Sequence, residues 1–83
     1  MTFAERNTNI LNALAQMQVI HDKYTSSSKI MTDDEWDSYF KSMSKVPEQF
    51  RGTNLEEFIY NLVVCFQTDT EDVQRRLKNV KKD

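Results

Sequence analysis

Residues 2–24 read TFAERNTNILNALAQMQVIHDKY, and Phe3, Asn7, Ile10, Leu14, Met17, His21 and Tyr24 recur through them at spacings of four and three. Such spacings gather side chains on one side of a helix, because 3.6 residues make a turn. Leu11 and Ala13 widen the seam. Thr2 offers a hydroxyl to the free amides of the first turn and Glu5 a carboxylate that reaches back, which is a capping box. The pattern predicts a helix over residues 3–24 with a coiled-coil-like seam. At about 1.5 Å per residue it runs roughly 33 Å, more than a compact bundle of this mass needs, so a stretch of it is left for another chain.

Beyond it, Thr25, Ser26, Ser27, Ser28 and Lys29 carry no apolar face, and their hydroxyls compete with helical hydrogen bonds, so residues 25–31 read as a linker. Thr32 and Glu35 form a second capping box. Met31 stands before it as a staple for Trp36, and Asp33 and Asp34 suit the positive end of a helix. Trp36, Tyr39, Phe40 and Met43 then share a face over a predicted helix 33–45, which Val46-Pro47 stops because proline disfavours α geometry in the residue before it. A short turn from Pro47 to Arg51 holds Phe50, and Gly52 supplies a left-handed residue. A third helix, 54–67, is capped by Thr53 or Asn54 and carries Leu55, Phe58, Ile59, Leu62, Val63 and Phe66. Thr68, Asp69 and Thr70 read as a polar break before a fourth helix, 70–80, with a thinner stripe of Val73, Leu77 and Val80. The expected fold is all-α, a small bundle of about four helices in one domain spanning residues 1–83.

Composition agrees with that class. One glycine, Gly52, and one proline, Pro47, leave few sites for the tight turns of a β-rich fold. Area scaling gives a folded surface of roughly 5,200 Å² against about 14,200 Å² for the extended chain, a thin margin that association often supplements. The formal charge of −2 disfavours indiscriminate binding to nucleic acid, which needs clustered cations to displace counterions. Cys65 is the only cysteine, so no internal disulfide forms, and a reducing cytoplasm is the expected setting. Residues 1–15 lack a basic leader followed by an apolar run, and no stretch approaches the roughly 18–20 apolar residues of a membrane span.

Chemistry-bearing groups are sparse. His21 and Cys65 would make a dyad only if the fold joined them. The simpler reading makes His21 a seam residue near a helix C-terminus and Cys65 a small hydrophobe between Val64 and Phe66. Asp33, Asp34, Glu35 and Asp37 form the densest acidic group, explained by their place in a first turn without a metal. With Glu56 and Glu57 they are also expected to form an acidic face for a basic partner. Arg75, Arg76, Lys78, Lys81 and Lys82 make a basic C-terminal stretch with no interleaved aromatic residue for stacking on bases. No phosphate loop, zinc spacing or catalytic triad is present, and neither cofactor nor metal is expected.

The expectation is a non-enzymatic protein-binding module, a small regulator, inhibitor or adaptor of the kind common among accessory proteins of bacteria and phages. Ile10, Leu14 and Met17 offer a docking or homodimer seam, and Trp36, Tyr39, Asp33, Asp34 and Asp37 a second surface. Two rivals are a nucleic-acid-associated protein using Arg75, Arg76, Lys78, Lys81 and Lys82, and a structural homo-oligomer joined through the first helix.

Overall fold

The computed structural model of the protein describes residues 1–81. It is all-α among those residues, with α1 (Phe3–Thr25), α2 (Asp33–Glu48) and α3 (Glu56–Lys81) and no strand. Both capping boxes form. Thr2 and Thr32 each accept from the backbone N–H three residues on, and Glu5 and Glu35 accept from the N–H of the capping threonine. Those hydrogen bonds hold both carboxyls below their ordinary value of 4.5.

Three helices stand where about four are expected, because the Thr68–Thr70 break does not occur and one helix runs from Glu56 to Lys81. The hydroxyls that would compete with the helix are satisfied inside it. Thr68 Oγ1 donates to the Val64 carbonyl and Thr70 Oγ1 to that of Phe66, both at 2.9 Å. The stop at Val46-Pro47 is also displaced, since α2 continues to Glu48 with Pro47 in its last turn. There the missing N–H costs one hydrogen bond without a break, and buried Val46 holds the turn in place. The chain then tightens. Phe50 N–H donates to the Pro47 carbonyl and Arg51 N–H to that of Glu48, and Gly52 takes φ +80°.

Directions follow from the contacts between helices. Arg6 lies over the Phe58 ring and His21 meets Phe66 and Asp69, so α1 and α3 run parallel. Gln16 pairs with Gln49 and Tyr24 packs on Tyr39, so α2 runs against α1 and returns the chain between them. The core comprises Ala13, Met17 and Tyr24 of α1, Tyr39, Met43 and Val46 of α2, and Ile59 and Val63 of α3. Met31, Phe50 and Leu55 close it from the connections. Fully buried Tyr39 has its ring against Tyr24, Trp36 and Phe40. Its hydroxyl lies 2.9 Å from Thr70 Oγ1. Because the Thr70 proton goes to the Phe66 carbonyl, Tyr39 must be the donor.

The linker from Ser26 to Thr32 is pinned by one side chain. Buried Gln74 accepts from Met31 N–H at 2.8 Å and donates to the Lys29 carbonyl at 3.1 Å, and Ser28 takes a left-handed φ of 56°. The molecule is long and narrow, 53 × 20 × 16 Å. α2 has 16 residues against 23 and 26 in α1 and α3, so the longer helices overhang it, α1 by its N-terminal turns and α3 by its C-terminal ones. The exposed surface of 5901 Å² is about 700 Å² more than the scaling estimate for this mass. No helix of the described residues is long and apolar enough to cross a membrane.

Two substitutions test this scaffold by denaturant unfolding. Gln74→Ala strands the Met31 N–H and lowers stability by about 2 kcal/mol. Thr32→Ala removes one cap and costs about 1 kcal/mol at neutral pH. Because the Glu35 carboxyl is held below 4.5, the capping contribution is present above that pH and fades as pH falls beneath it. Glu35→Gln, which keeps an acceptor for the Thr32 N–H but no titrating carboxyl, should therefore flatten the acid limb of the stability profile.

Candidate functional site

Charge is distributed unevenly in a way that the fold makes meaningful. From Asn7 to His21 in α1 and from Phe58 to Thr68 in α3 there is no Asp, Glu, Lys or Arg, although 24 of the 83 residues in the chain are of those types. The two stretches are neighbours, because α1 and α3 lie parallel with Arg6 level with Phe58 and His21 level with Phe66. Over this length the solvent-facing surfaces of both helices carry no Asp, Glu, Lys or Arg. Ile10, Leu14, Leu62 and Phe66 pack on the core and remain half-buried, and Leu11, Val19, Phe58 and Val64 are exposed. α2 packs on the other side of both helices and does not cover them. It ends at the level of Gln16, and the connection from Gln49 to Leu55 serves as the third wall below that point.

The residues expected to make the first surface divide by depth. Ile10 and Leu14 are half-buried on the α1 flank, while Met17 is fully buried and belongs to the core alone. Trp36 is half-buried, stacked on Phe40 at 5.5 Å, and Tyr39 is fully buried, so the second surface retains one ring of the expected two. Asp33, Asp34 and Asp37 are exposed. They do not join Glu56 and Glu57 in one acidic face. α2 and α3 are antiparallel, so their N-termini lie at opposite ends, separated by about 24 Å, the length of α2.

Arg75, Arg76 and Lys78 are exposed, Lys81 ends α3, and Lys82 lies outside the described residues. Asp72 takes up two of these cations, binding Arg75 Nη2 and Arg76 Nε at 2.9 Å each, which reduces the field available to a phosphate. No aromatic residue interleaves with these cations in sequence, but one from elsewhere in the chain stands nearby. Trp36 lines a cleft of about 400 Å³ with Gln74, Arg75 and Lys78. Sequence spacing misses it because Trp36 comes from the start of α2, which the antiparallel arrangement sets beside the far end of α3.

The structure does bring His21 and Cys65 to one place, a shallow depression of about 220 Å³ that Phe66 and Asp69 also line. The chemistry there is not that of a nucleophile and its base. His21 Nε2 donates to Asp69 Oδ2 at 2.6 Å, Nδ1 is buried without a partner among the described residues, and no hydrogen bond joins His21 to Cys65. With its edge against Phe66, His21 ties α1 to α3. Asp69 was read as a helix break, and its role as the partner of His21 lies 48 positions away, where no local pattern reaches. Among the described residues no group of three His, Cys, Asp or Glu side chains is placed to hold a metal ion.

Comparison with family models, with curated proteins and with solved structures finds no match to this chain. The charge-free side of α1 and α3 therefore has to be interpreted on its own physics.

Tyr39 offers a check on the core beneath that side. Burial lifts its phenol above the ordinary value of 10.0, and Glu71 and Asp69 add to this, against the lowering effect of the bond to Thr70. The folded state thus keeps a proton that the unfolded chain sheds, so stability falls as pH rises past 10.0. Tyr39→Phe should cost about 1 kcal/mol at neutral pH and reduce that alkaline loss, as followed by thermal unfolding.

Proposed function

We propose that this chain is a non-enzymatic protein–protein interaction module, a small regulator, inhibitor or adaptor that works by occupying a surface of another polypeptide. The observation that carries the reading is the side of α1 and α3 that has no charged residue from Asn7 to His21 or from Phe58 to Thr68 and yet exposes large apolar groups. Surfaces left to water are normally kept soluble by interspersed charge, and a contiguous apolar patch without it marks a site of association. Depletion of charge at the centre of a patch is also the compositional signature of interface cores. Arg6 at one end and Asp22 and Asp69 at the other supply a polar rim.

The chemistry on the chain favours binding over catalysis. Its one histidine is engaged with Asp69, and its one cysteine shares a depression with that histidine without a hydrogen bond between them. Association through the basic end of α3 is supported less well, because Asp72 pairs with two of its arginines and offsets one of their charges.

The test compares wild-type protein with Leu11→Glu and Phe58→Glu, each immobilised and exposed to a native lysate. Both positions are exposed, so both variants should keep their helical circular dichroism. Wild type should retain a protein in stoichiometric amount, and each variant should retain at least about tenfold less, the effect of a charge placed in a desolvated patch. Equal retention by all three would refute this face as the binding surface. Recovery of nucleic acid alone, lost at high salt, would transfer the function to the cations of α3.

A further inference from the structure

The basic turns of α3 carry no aromatic residue of their own, and the fold brings one to them from another helix. Trp36, near the start of α2, shares a cleft of about 400 Å³ with Glu71, Gln74, Arg75, Lys78 and Asn79. The five residues of α3 are related by spacings of three and four, so they line one side of that helix over two turns, about 12 Å. The cleft lies beyond Thr68, where the charge-free stretch of α3 ends, and is independent of the apolar surface taken for protein association.

We propose that this cleft binds a nucleotide unit, with the base against Trp36 and the phosphate between Arg75 and Lys78. The lining supplies each part of that recognition. Phe40 stacks on the indole at 5.5 Å but does not line the cleft, so the indole is braced from within the fold and still presents surface to a ligand ring. Packing of a base on an aromatic side chain beside cations is the usual means by which single-stranded nucleotides are held. Lys78 is exposed and has no ion pair among the described residues. Arg75 commits Nη2 to Asp72 and keeps further N–H groups for a phosphate oxygen.

Glu71 and Asn79 favour a nucleotide over an acidic peptide. Glu71 stands seven residues, about 10 Å, before Lys78, so the row on α3 is cationic toward one end and accepting at the other. A peptide bearing carboxylates along its length would set one against Glu71, whereas a nucleotide offers it a sugar hydroxyl as donor. The exposed Asn79 amide presents a donor and an acceptor side by side, the pattern that pairs with N6 and N7 of adenine. Buried Gln74 forms the floor. Its Oε1 and one Nε2 hydrogen hold Met31 and Lys29, which fixes the amide and leaves the second Nε2 hydrogen uncommitted.

Trp36 is the only tryptophan of the chain, so the fluorescence of the purified full chain reports the site directly. Adenosine monophosphate and a single-stranded adenylate octamer should each quench it to saturation, and equilibrium dialysis should return the same dissociation constants. Adenosine, which lacks the phosphate, should bind at least about tenfold more weakly, the loss expected for charge-assisted hydrogen bonds. Affinity for the octamer should fall with salt at a logarithmic slope of about −1.4, the value for two cations on a single strand. Lys78→Gln should halve that slope and weaken both ligands by at least about tenfold. Lys45→Gln, also exposed but outside the cleft, should change neither.

An octamer that binds more tightly than its eight nucleotides would singly identifies a strand as the source of the nucleotide, and one that does not identifies the free nucleotide. Either result supports the site. Absence of binding by both methods at millimolar ligand overturns it, as does adenosine binding as tightly as its monophosphate, or affinity indifferent to Lys78→Gln. Tighter binding of a tyrosine-containing polyglutamate peptide than of either nucleotide also overturns it, and assigns the cleft to an acidic peptide.

Discussion

The phenol of Tyr39 is the point at which the three helices are obliged to agree. It is fully buried, so its hydroxyl must find a partner inside the protein, and the partner is Thr70 on α3. Thr70 is fixed as the acceptor because its own proton is committed to the Phe66 carbonyl, which requires α3 to be helical through that turn. The Tyr39 ring is set by Tyr24 of α1 on one side and by Trp36 and Phe40 of α2 on another. A change of register in any helix would strand a hydroxyl in an apolar core, a penalty of about 1–3 kcal/mol, against which a bundle this small has little reserve. Gln74, one turn beyond Thr70, extends the same constraint to the linker by holding Met31 and Lys29.

That constraint also separates what the sequence discloses from what it conceals. α1 and the start of α2 are legible because their signals are local: a threonine and a glutamate three apart, then apolar residues at helical spacing. The left-handed Gly52 is legible for the same reason. Thr68 to Thr70 is misread as a break because its polarity serves distant partners, Tyr39 for Thr70 and His21 for Asp69, and a window along the chain sees only three poor helix formers. Pro47 is misread by one turn because a proline in the final turn removes a bond without obstructing a helix that has more to follow. The candidate surface is legible as a seam on α1 but not as a face. Its second half comes from α3, and only the parallel packing of α1 and α3 joins the two uncharged stretches.

Length differences between the helices then decide where the core is walled by helix and where by a connection. A three-helix bundle encloses its core where all three walls are present, and α2 provides its wall over 16 residues only. Below Gln16 the connection from Gln49 to Leu55 substitutes for it, burying Phe50 and Leu55 but leaving the outer flank of α1 open. The excess surface follows from the shortness of α2 relative to its neighbours, whereas Leu11 and Val19 are exposed because they lie on the side of α1 opposite its core-facing Ala13, Met17 and Tyr24.

The N-terminal half of α1 shows why such exposure matters for stability as well as for binding. Asn7, Thr8, Asn9 and Asn12 are weak helix formers, and from Asn7 to His21 no ion pairs at i and i+4 reinforce the helix. Its helicity there rests on the Thr2–Glu5 capping box and on the burial of Ala13, with half-buried Ile10 and Leu14 assisting. A helix held in this way gains stability from any surface that covers its free side, by mass action and without a new fold. Weak intrinsic propensity from Asn7 to Asn12 and exposed apolar side chains at Phe3, Leu11 and Val19 are two expressions of one arrangement: a segment whose own chain supplies enough packing to form it and too little to satisfy it.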